Sequence, residues 1–483
     1  MLRDKVLKIM AVAMLGGVLL FTTACGSTKI TASISAVSTE KGKVINENIN
    51  IDKPYIKVNG NSIKLEGLSD ENVQSKINNH IKYELEDYIN LKVQDEKYIY
   101  DEFNKDDKDY EPKEVKVTTK STYNKDNILS VVTHINTRES ANYSYEIKNT
   151  YNIDLKTGQN IELDKLFKNK NYVDVIQKYV EDEIAKNPED YNTSSVNNSL
   201  RRDYYLEKDN LVIVFKPGMI ASYSKGNREF KIPIKSFGDD FSTDIKIESS
   251  AVIVDRKQIA IDDRSLKSIV NIPVIKDIKL NIEGVDYKEI QDNLNNLFEK
   301  EAMEFREEMY EDAKVAMEES EKIGYKLRPY VANVTFDEKY NKGNLLSIYT
   351  VYYTYTGGAH GNHQDVAYNV DLTNGKILKL NDIFKNEVDY KKVINDEINK
   401  QIREIQEQAK AEGISRGEKV EDIYLPHRGF KSIRDDHGFY FKDDSIVIYF
   451  DLYEIGPYAA GIIEFPIKIS NIGDSLKDEY VIK

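Results

Sequence analysis

The chain has 483 residues, of which 40% are hydrophobic and 31% charged, and it is long enough to bury ordinary cores in two to four domains. Its 82 acidic residues outnumber 68 basic ones, which gives a net charge of −14. This balance argues against binding nucleic acid or anionic lipid through general charge, and it would favour encounter with a cationic partner. The alternative is that the excess acid only keeps the surface soluble.

The N-terminus has the pattern of a secretory signal. A basic start is followed by an apolar run from Ile9 to Phe21 and then by small residues before Cys25, the single cysteine of the chain. Residues 1–24 resemble a bacterial lipoprotein signal, although Thr22 stands where leucine is usual. The resemblance implies lipidation of Cys25 and a membrane-anchored protein on the extracytoplasmic face. An ordinary signal peptide with a chance cysteine is the alternative.

After the signal, residues 25–50 are rich in Ser, Thr, Lys and Asn without a sustained period, which predicts a flexible tether. A first module is predicted over residues 51–240, opening with an edge strand at 53–57. The spacing of Val73, Ile77, Ile81 and Leu85 predicts an amphipathic helix, with Ser69 as its cap. Strand-like segments follow at 128–135, 145–155, 211–215 and 230–234, with a helix at about 172–185.

The second half of the chain repeats the first. An offset of 217 places residues 151–158 on 368–375 and residues 166–169 on 383–386. Later in the modules the offset grows to 235, which places extra residues around 404–430 of the second copy. This insertion is either a partner-specific loop or a longer helix. Module two is predicted over residues 270–472.

Short strands joined by short turns, interspersed with helices, predict an α+β fold for each module. We expect an antiparallel sheet that is packed on one face by helices.

The two modules differ at one connection, the glycine turn, residues 356–361. Module two has Thr-Gly-Gly-Ala-His-Gly there, and module one has Glu-Ser-Ala-Asn-Tyr-Ser at 139–144. Gly357 and Gly358 allow positive φ, so backbone N–H groups could turn outward and bind a carbonyl or an anion. A tight strand connection without a ligand is the alternative. Loss of the turn in module one favours a spacer role for that module.

Four of the six histidines lie in module two, which raises the question of a metal. His360, His363 and Asp365 match no closed structural zinc site, and His427 and His437 are far away along the chain. No nucleophile elbow, His-Glu-x-x-His helix or phosphate loop occurs. We therefore expect no metal, no cofactor and no catalysis; a metal-dependent hydrolase is the least favoured alternative.

Tyrosine is abundant, at 33 residues, and tryptophan is absent. Alternation along a strand places Tyr353 and Tyr355 on one face and Tyr352 on the other, so one face would be core and the other a binding surface. Ordinary strand filling is the alternative. The tyrosines massed around the glycine turn are Tyr349, Tyr352, Tyr353, Tyr355, Tyr368, Tyr449, Tyr453 and Tyr458.

The stretch 353–361, followed by 368–376 and Ile383-Phe384, resembles the extracellular domain of the anti-sigma factor RsiV and the domain that precedes the catalytic part of the peptidoglycan deacetylase PdaC. The resemblance covers about 270–470 and, through the repeat, 53–237. It implies binding of lysozyme or of cell-wall glycan. The candidate ligand contacts carried over are the residues that match the motif: Tyr353, Tyr355, Thr356, Gly357, Gly358, Ala359, His360 and Gly361.

Neither relative's output is expected here, because few residues precede the apolar run and the sequence ends soon after module two. The sequence therefore predicts a non-catalytic envelope lipoprotein whose ectodomain binds lysozyme or a similar cationic protein. The main alternative is a peptidoglycan-binding module.

Overall fold

The computed structural model describes residues 42–193, 203–245, 247 and 250–482. All of them belong to one compact unit, Thr39–Lys483. The predicted signal peptide, Cys25 and the first part of the predicted tether lie outside the described residues. Within the described ranges, no helix has the length and apolar character needed to cross a membrane.

Module one contains a five-stranded sheet with a long helix, followed by a three-stranded sheet with a shorter helix. In chain order its elements are Lys43–Asp52 (β1), Ile56–Glu66 (β2), Glu71–Ile99 (α1), Lys113–Lys125 (β3), Ile128–Ser140 (β4), Tyr143–Asp154 (β5), Tyr172–Lys186 (α2), Asp203–Leu206 (β6), Asn210–Phe215 (β7) and Arg228–Pro233 (β8).

Module two repeats this order, which confirms the predicted tandem. Its elements are Ile253–Asp262 (β9), Leu266–Lys276 (β10), Tyr287–Lys322 (α3), Tyr330–Lys342 (β11), Leu345–Tyr355 (β12), Asn362–Asp371 (β13), Lys376–Ile377 (β14), Tyr390–Ser415 (α4), Phe439–Lys442 (β15), Ser445–Phe450 (β16), Ile463–Lys468 (β17) and Ile469–Ile472 (α5).

The strands of each sheet follow chain order, from β1 to β5 in module one and from β9 to β14 in module two. The predicted α+β class with mainly antiparallel sheets is confirmed. The pairs β2–β3 and β10–β11 are parallel, whereas the other strand pairs among the described residues are antiparallel. A parallel pair needs a long crossover connection, which α1 and α3 supply.

The first long helix forms where its apolar spacing predicts. Val73, Ile77, Ile81 and Leu85 are each at most 3% exposed and pack against the five-stranded sheet. Each such side chain contributes about 1.5–3 kcal/mol on burial. The cap is not Ser69, because the carboxylate of Asp70 accepts the N–H groups of residues 72 and 73 at 2.9 and 3.1 Å.

Both modules begin earlier than predicted. Strand β1 begins at Lys43, inside the predicted tether, and β9 begins at Ile253, before the predicted start at residue 270. Because β1 is an edge strand with many exposed side chains, its sequence lacks the apolar run of an interior strand. The predicted edge strand at 53–57 is instead a turn that leads into β2, between β1 and β3.

The same buried bridge joins the two halves of each module. In module two Ser347 Oγ donates to Asn369 Oδ1 at 2.6 Å and accepts the N–H of Phe441 at 3.1 Å, while the Asn369 amide donates to the carbonyl of Phe439 at 2.7 Å. In module one the same three bonds join Ser130, Asn152, Leu206 and Tyr204 at 2.7, 3.2 and 2.6 Å. The two halves are therefore docked in the same way in both copies.

The modules contact each other through α1, whose second face meets β9. Asp255, only 4% exposed, accepts hydrogen bonds from Ser75 at 2.9 Å, Asn79 at 2.7 Å and Lys276 at 2.6 Å. Burial alone would raise the pKa of Asp255, but the bonds from Lys276 and Asn79 hold it below its ordinary value. Lys76 pairs with Glu338 at 3.0 Å at the same interface.

The insertion of module two lengthens a helix. α4 has 26 residues, whereas α2 at the equivalent place has 15. The segment that follows returns along α4, so that Ile423 is buried directly over Gly413, where a Cβ atom would lie 2.7 Å from its side chain. The longer-helix alternative therefore describes the first part of the insertion.

Candidate functional site

The glycine turn connects β12 and β13 at one end of the module-two sheet. Strand pairing stops at Thr354 and Asn362, which leaves residues 356–361 as an open connection. In module one the equivalent strands stay paired until Ser140 and Tyr143 and turn within two residues. The difference in sequence is therefore accompanied by a difference in the connection, which is open in module two and tight in module one.

The three glycines of the turn have different physical roles. Gly357 has φ +93°, a conformation that L side chains rarely adopt. Gly361 is buried beneath Tyr353, and a Cβ atom there would lie 2.2 Å from the Tyr353 hydroxyl. Gly358 is required neither by its backbone conformation nor by close packing. Its φ is not positive, and the nearest atom to an added Cβ is the carbonyl oxygen of His360 at 3.8 Å. Residues 356–360 are exposed.

His360 fixes the turn against another part of module two. Its ring stacks on Tyr458 with centroids 3.8 Å apart and planes 22° apart. Its Nδ1 donates to the carbonyl of Gly361 at 2.8 Å, and the Tyr458 hydroxyl donates to the same oxygen at 2.9 Å. With Nδ1 as donor, Nε2 is left to accept from the Tyr453 hydroxyl at 3.4 Å.

The site is therefore a composite of both halves of module two. Tyr453 and Tyr458 lie between β16 and β17 of the three-stranded sheet, whereas the turn belongs to the large sheet. Both residues are among the tyrosines named above from the sequence, but local sequence does not predict their contacts with His360. The offset of 235 gives one signal for the position of Tyr458 in the fold. It aligns Tyr458 with Tyr223, and each of the two begins a short helical turn that ends at a glycine.

The other tyrosines divide between core and surface as the alternation predicts. Tyr352 is 8% exposed and packs edge-on against Phe305 of α3 at 5.1 Å. Tyr353 and Tyr355 are half-buried on the opposite face, next to the turn. Burial is the main cause that raises the pKa of Tyr353 above its ordinary value. At neutral pH its hydroxyl is therefore a hydrogen-bond donor.

A buried carboxylate lies below the turn. Asp365 is 7% exposed, and its two oxygens contact His363 Nδ1 at 2.9 Å and the Tyr349 hydroxyl at 2.9 Å. Burial and the adjacent Asp365 carboxylate raise the pKa of Tyr349 well above its ordinary value. Tyr349 thus remains a protonated donor that holds Asp365 in place.

The structure does not gather the four histidines into one site. His360 stacks on tyrosine and His363 pairs with Asp365. His427 lies beside Phe465, with ring centroids 5.7 Å apart, and His437 lies against Phe450 at 4.4 Å. In the described ranges no three or more side chains of His, Cys, Asp or Glu are grouped so as to hold a metal ion.

A separate cleft of about 420 Å³ lies between the end of α1, the β9–β10 turn and the end of α3. Most of its charged side chains are paired with one another, including Lys97 with Asp101, Arg264 with Glu321, and Lys326 with Glu102. None of the lining residues belongs to the glycine turn.

Comparison with known protein families matches the two halves of module two to different families. A model described as "Deacetylase PdaC" matches residues 259–363, which run from β9 through the glycine turn. A model described as a protein of unknown function, DUF3298, matches twice, at 164–235 and 381–470, the second half of each module. The chain is therefore similar to the PdaC and DUF3298 families, and its DUF3298 match is repeated.

Among curated proteins, the chain is similar to the peptidoglycan-N-acetylmuramic acid deacetylase PdaC of Bacillus subtilis. The two are 26% identical over 224 residues, which is 46% of this chain and 41% of that enzyme. The match thus spans less than half of the relative's length.

Two crystal structures of DUF3298 family members are also similar. One, from Bacteroides fragilis, is 22% identical with a TM-score of 0.36; the other, from Pseudomonas aeruginosa, is 15% identical with a TM-score of 0.31. Each comparison covers 48% of this chain and 96% of the solved one.

Proposed function

We propose that the protein is a non-catalytic cell-envelope lipoprotein whose second module binds lysozyme or a similar cationic protein through the surface around the glycine turn. The observation that carries the proposal is that this turn is exposed and yet held in one conformation by the His360–Tyr458 stack. A binding surface that is already ordered loses little conformational entropy on association.

Tyrosine suits this task. Its ring provides rigid contact area, and its hydroxyl provides a hydrogen bond, so tyrosines are enriched among the residues that dominate protein interfaces. Tyr353, Tyr355, Tyr453 and Tyr458 surround the turn. Because the turn projects from the end of a sheet, a protein partner fits the surface better than a small ligand, which needs a concave site.

The net charge of −14 supports a cationic partner. Complementary charge increases the association rate, and salt weakens that effect because the Debye length falls to about 8 Å at physiological ionic strength. We expect the association rate to fall as salt is added, with a smaller change in the dissociation rate.

The test is calorimetric titration of hen lysozyme into residues 26–483. Module two alone from residue 270 is unsuitable, because it lacks β9 and the α1 contacts. A variant that carries Ser, Ala and Tyr at positions 357, 358 and 360, as in module one, removes the turn chemistry. Tyr143→Ala, at the equivalent position of module one, is the matched control.

We expect submicromolar affinity for the parent and for Tyr143→Ala, and at least a tenfold loss in the correctly folded triple variant. Absence of binding by the parent at low salt would refute the proposal. Equal binding by the triple variant would leave the turn with a purely structural role.

Peptidoglycan is the second candidate ligand. The exposed Tyr453 ring and the half-buried tyrosines around His360 favour it, since sugar rings stack on aromatic faces, and the curated relative is named as a peptidoglycan deacetylase. Co-sedimentation with purified cell wall that persists at high salt would support glycan binding, because stacking is not screened. No acetate should be released from the wall if the protein is non-catalytic.

Anchoring through Cys25 belongs to the same proposal. We expect the protein to fractionate with membranes and the Cys25→Ser variant to lose this association. Membrane association that is unchanged by Cys25→Ser would contradict lipidation at this residue.

A further inference from the structure

Tyr453 is held in a backbone conformation that its side chain disfavours. Its φ is +66°, in the left-handed region, where residues other than glycine, asparagine and aspartate are uncommon. Such strain costs of order 1–3 kcal/mol and persists only where the surroundings impose it. The side chain is also 61% exposed, so burial of its ring does not compensate for the strain.

The equivalent position in module one shows the residue that the backbone prefers. The offset of 235 that aligns Tyr205 with Tyr440 aligns Gly218 with Tyr453. Gly218 has φ +87°, and a Cβ atom added there would meet nothing closer than Tyr223, at 3.9 Å. The same turn thus exists without strain in module one, where the glycine turn is absent.

The surroundings of Tyr453 impose its conformation. Glu454 N donates to the carbonyl of Asp451 at 3.1 Å, and Asp451 N donates to the Glu454 carboxylate at 3.0 Å. Arg434 binds both carboxylates from outside the turn. This closed turn holds the Tyr453 ring 5.6 Å from that of Tyr458 and its hydroxyl 3.4 Å from His360 Nε2.

We propose that Tyr453 is the anchor residue of the recognition surface, held by the strained turn so that its ring stands out of the protein and enters a pocket on the cationic protein partner. The inference rests on the proposed function of the glycine turn and adds a residue outside that turn. An exposed, rigid aromatic ring beside an ordered turn has the properties of an interface hot spot.

The test combines two variants of Tyr453 with one reciprocal variant of module one. Tyr453→Gly introduces the residue found at the equivalent position, and Tyr453→Asn removes the ring with a residue that tolerates positive φ. Gly218→Tyr imposes the same strain on module one. Each variant of residues 26–483 is titrated with hen lysozyme and melted without it.

Both Tyr453 variants should bind lysozyme at least tenfold more weakly than the parent, with a Tm equal to or above that of the parent, because the strain is released. Gly218→Tyr should lower Tm and leave the affinity unchanged. If the parent binds and the Tyr453 variants bind equally well, the anchor role is refuted while the proposed function stands. If both Tyr453 variants melt clearly lower, the residue is structural and the inference also fails. If the parent does not bind lysozyme, the proposed function fails, and the partner assigned to Tyr453 fails with it.

Discussion

The buried His437 should make module two sensitive to mild acid. The residue is 3% exposed, and its ring lies 4.4 Å from the Phe450 ring. Burial lowers its pKa from 6.5 to about 4, and the carboxylate of Glu454, 4.0 Å from Nδ1, offsets only part of this shift.

The direction of the effect follows from proton binding. In the unfolded chain His437 binds a proton below pH 6.5, whereas in the folded protein it does so only below about pH 4. The unfolded state therefore gains protons first, and the free energy of unfolding falls as pH decreases from 6.5 to 4. Since one pKa unit corresponds to about 1.36 kcal/mol, the full loss is about 3 kcal/mol, of which about 2.5 kcal/mol is present at pH 4.5.

The assay is urea unfolding at pH 7.5 and 4.5 for the parent and for His437→Phe, which fills the site without titrating. Because the chain has no tryptophan, unfolding is followed by circular dichroism. Other groups titrate equally in both proteins, so the difference between the two pH-dependent losses isolates His437. We expect the parent to lose about 2.5 kcal/mol more than the variant. Equal losses would show that burial does not hold this histidine neutral.

Three further substitutions test the packing. Asp255→Ala leaves its buried donors unpaired and should cost about 3 kcal/mol in urea unfolding, whereas Asp255→Asn, which keeps acceptor capacity, should cost less; equal costs would show that the acceptor oxygen contributes nothing beyond the charge. Ser347→Ala breaks the buried bridge and should cost about 1–3 kcal/mol; an unchanged midpoint would show that the bridge adds nothing. Gly361→Ala forces the Tyr353 ring aside and should lower the Tm, while Gly358→Ala, in open space, should not; similar shifts would refute the distinct roles of these glycines.

The repeat and the long helices follow from the sequence because they depend on local periodicity. The apolar spacing of α1 and the predicted strand at 211–215, which corresponds to β7, match the structure closely. Strands rich in Lys, Asn and Glu, such as β1 and β3, escaped prediction, since one side of each is polar. The parallel pairing of β2 with β3 depends on where α1 returns the chain, and strand sequence does not encode that.

The glycine turn could be located from sequence, but its support could not. His360 and Tyr458 are 98 residues apart in the chain, and their stack depends on how the two halves of module two dock. The left-handed conformation of Tyr453 has no local signal either, because tyrosine does not favour it. The module-one glycine at the aligned position was the one available hint.

The buried serine–asparagine bridge bears on the history of the chain. The same three hydrogen bonds join the two halves in both copies, although in module two the halves match two different family models. Two independent fusions would have had to arrive at one polar joint twice. The unit that duplicated was therefore already a fused pair, and the divergence that opened the turn in one copy and closed it in the other came afterwards.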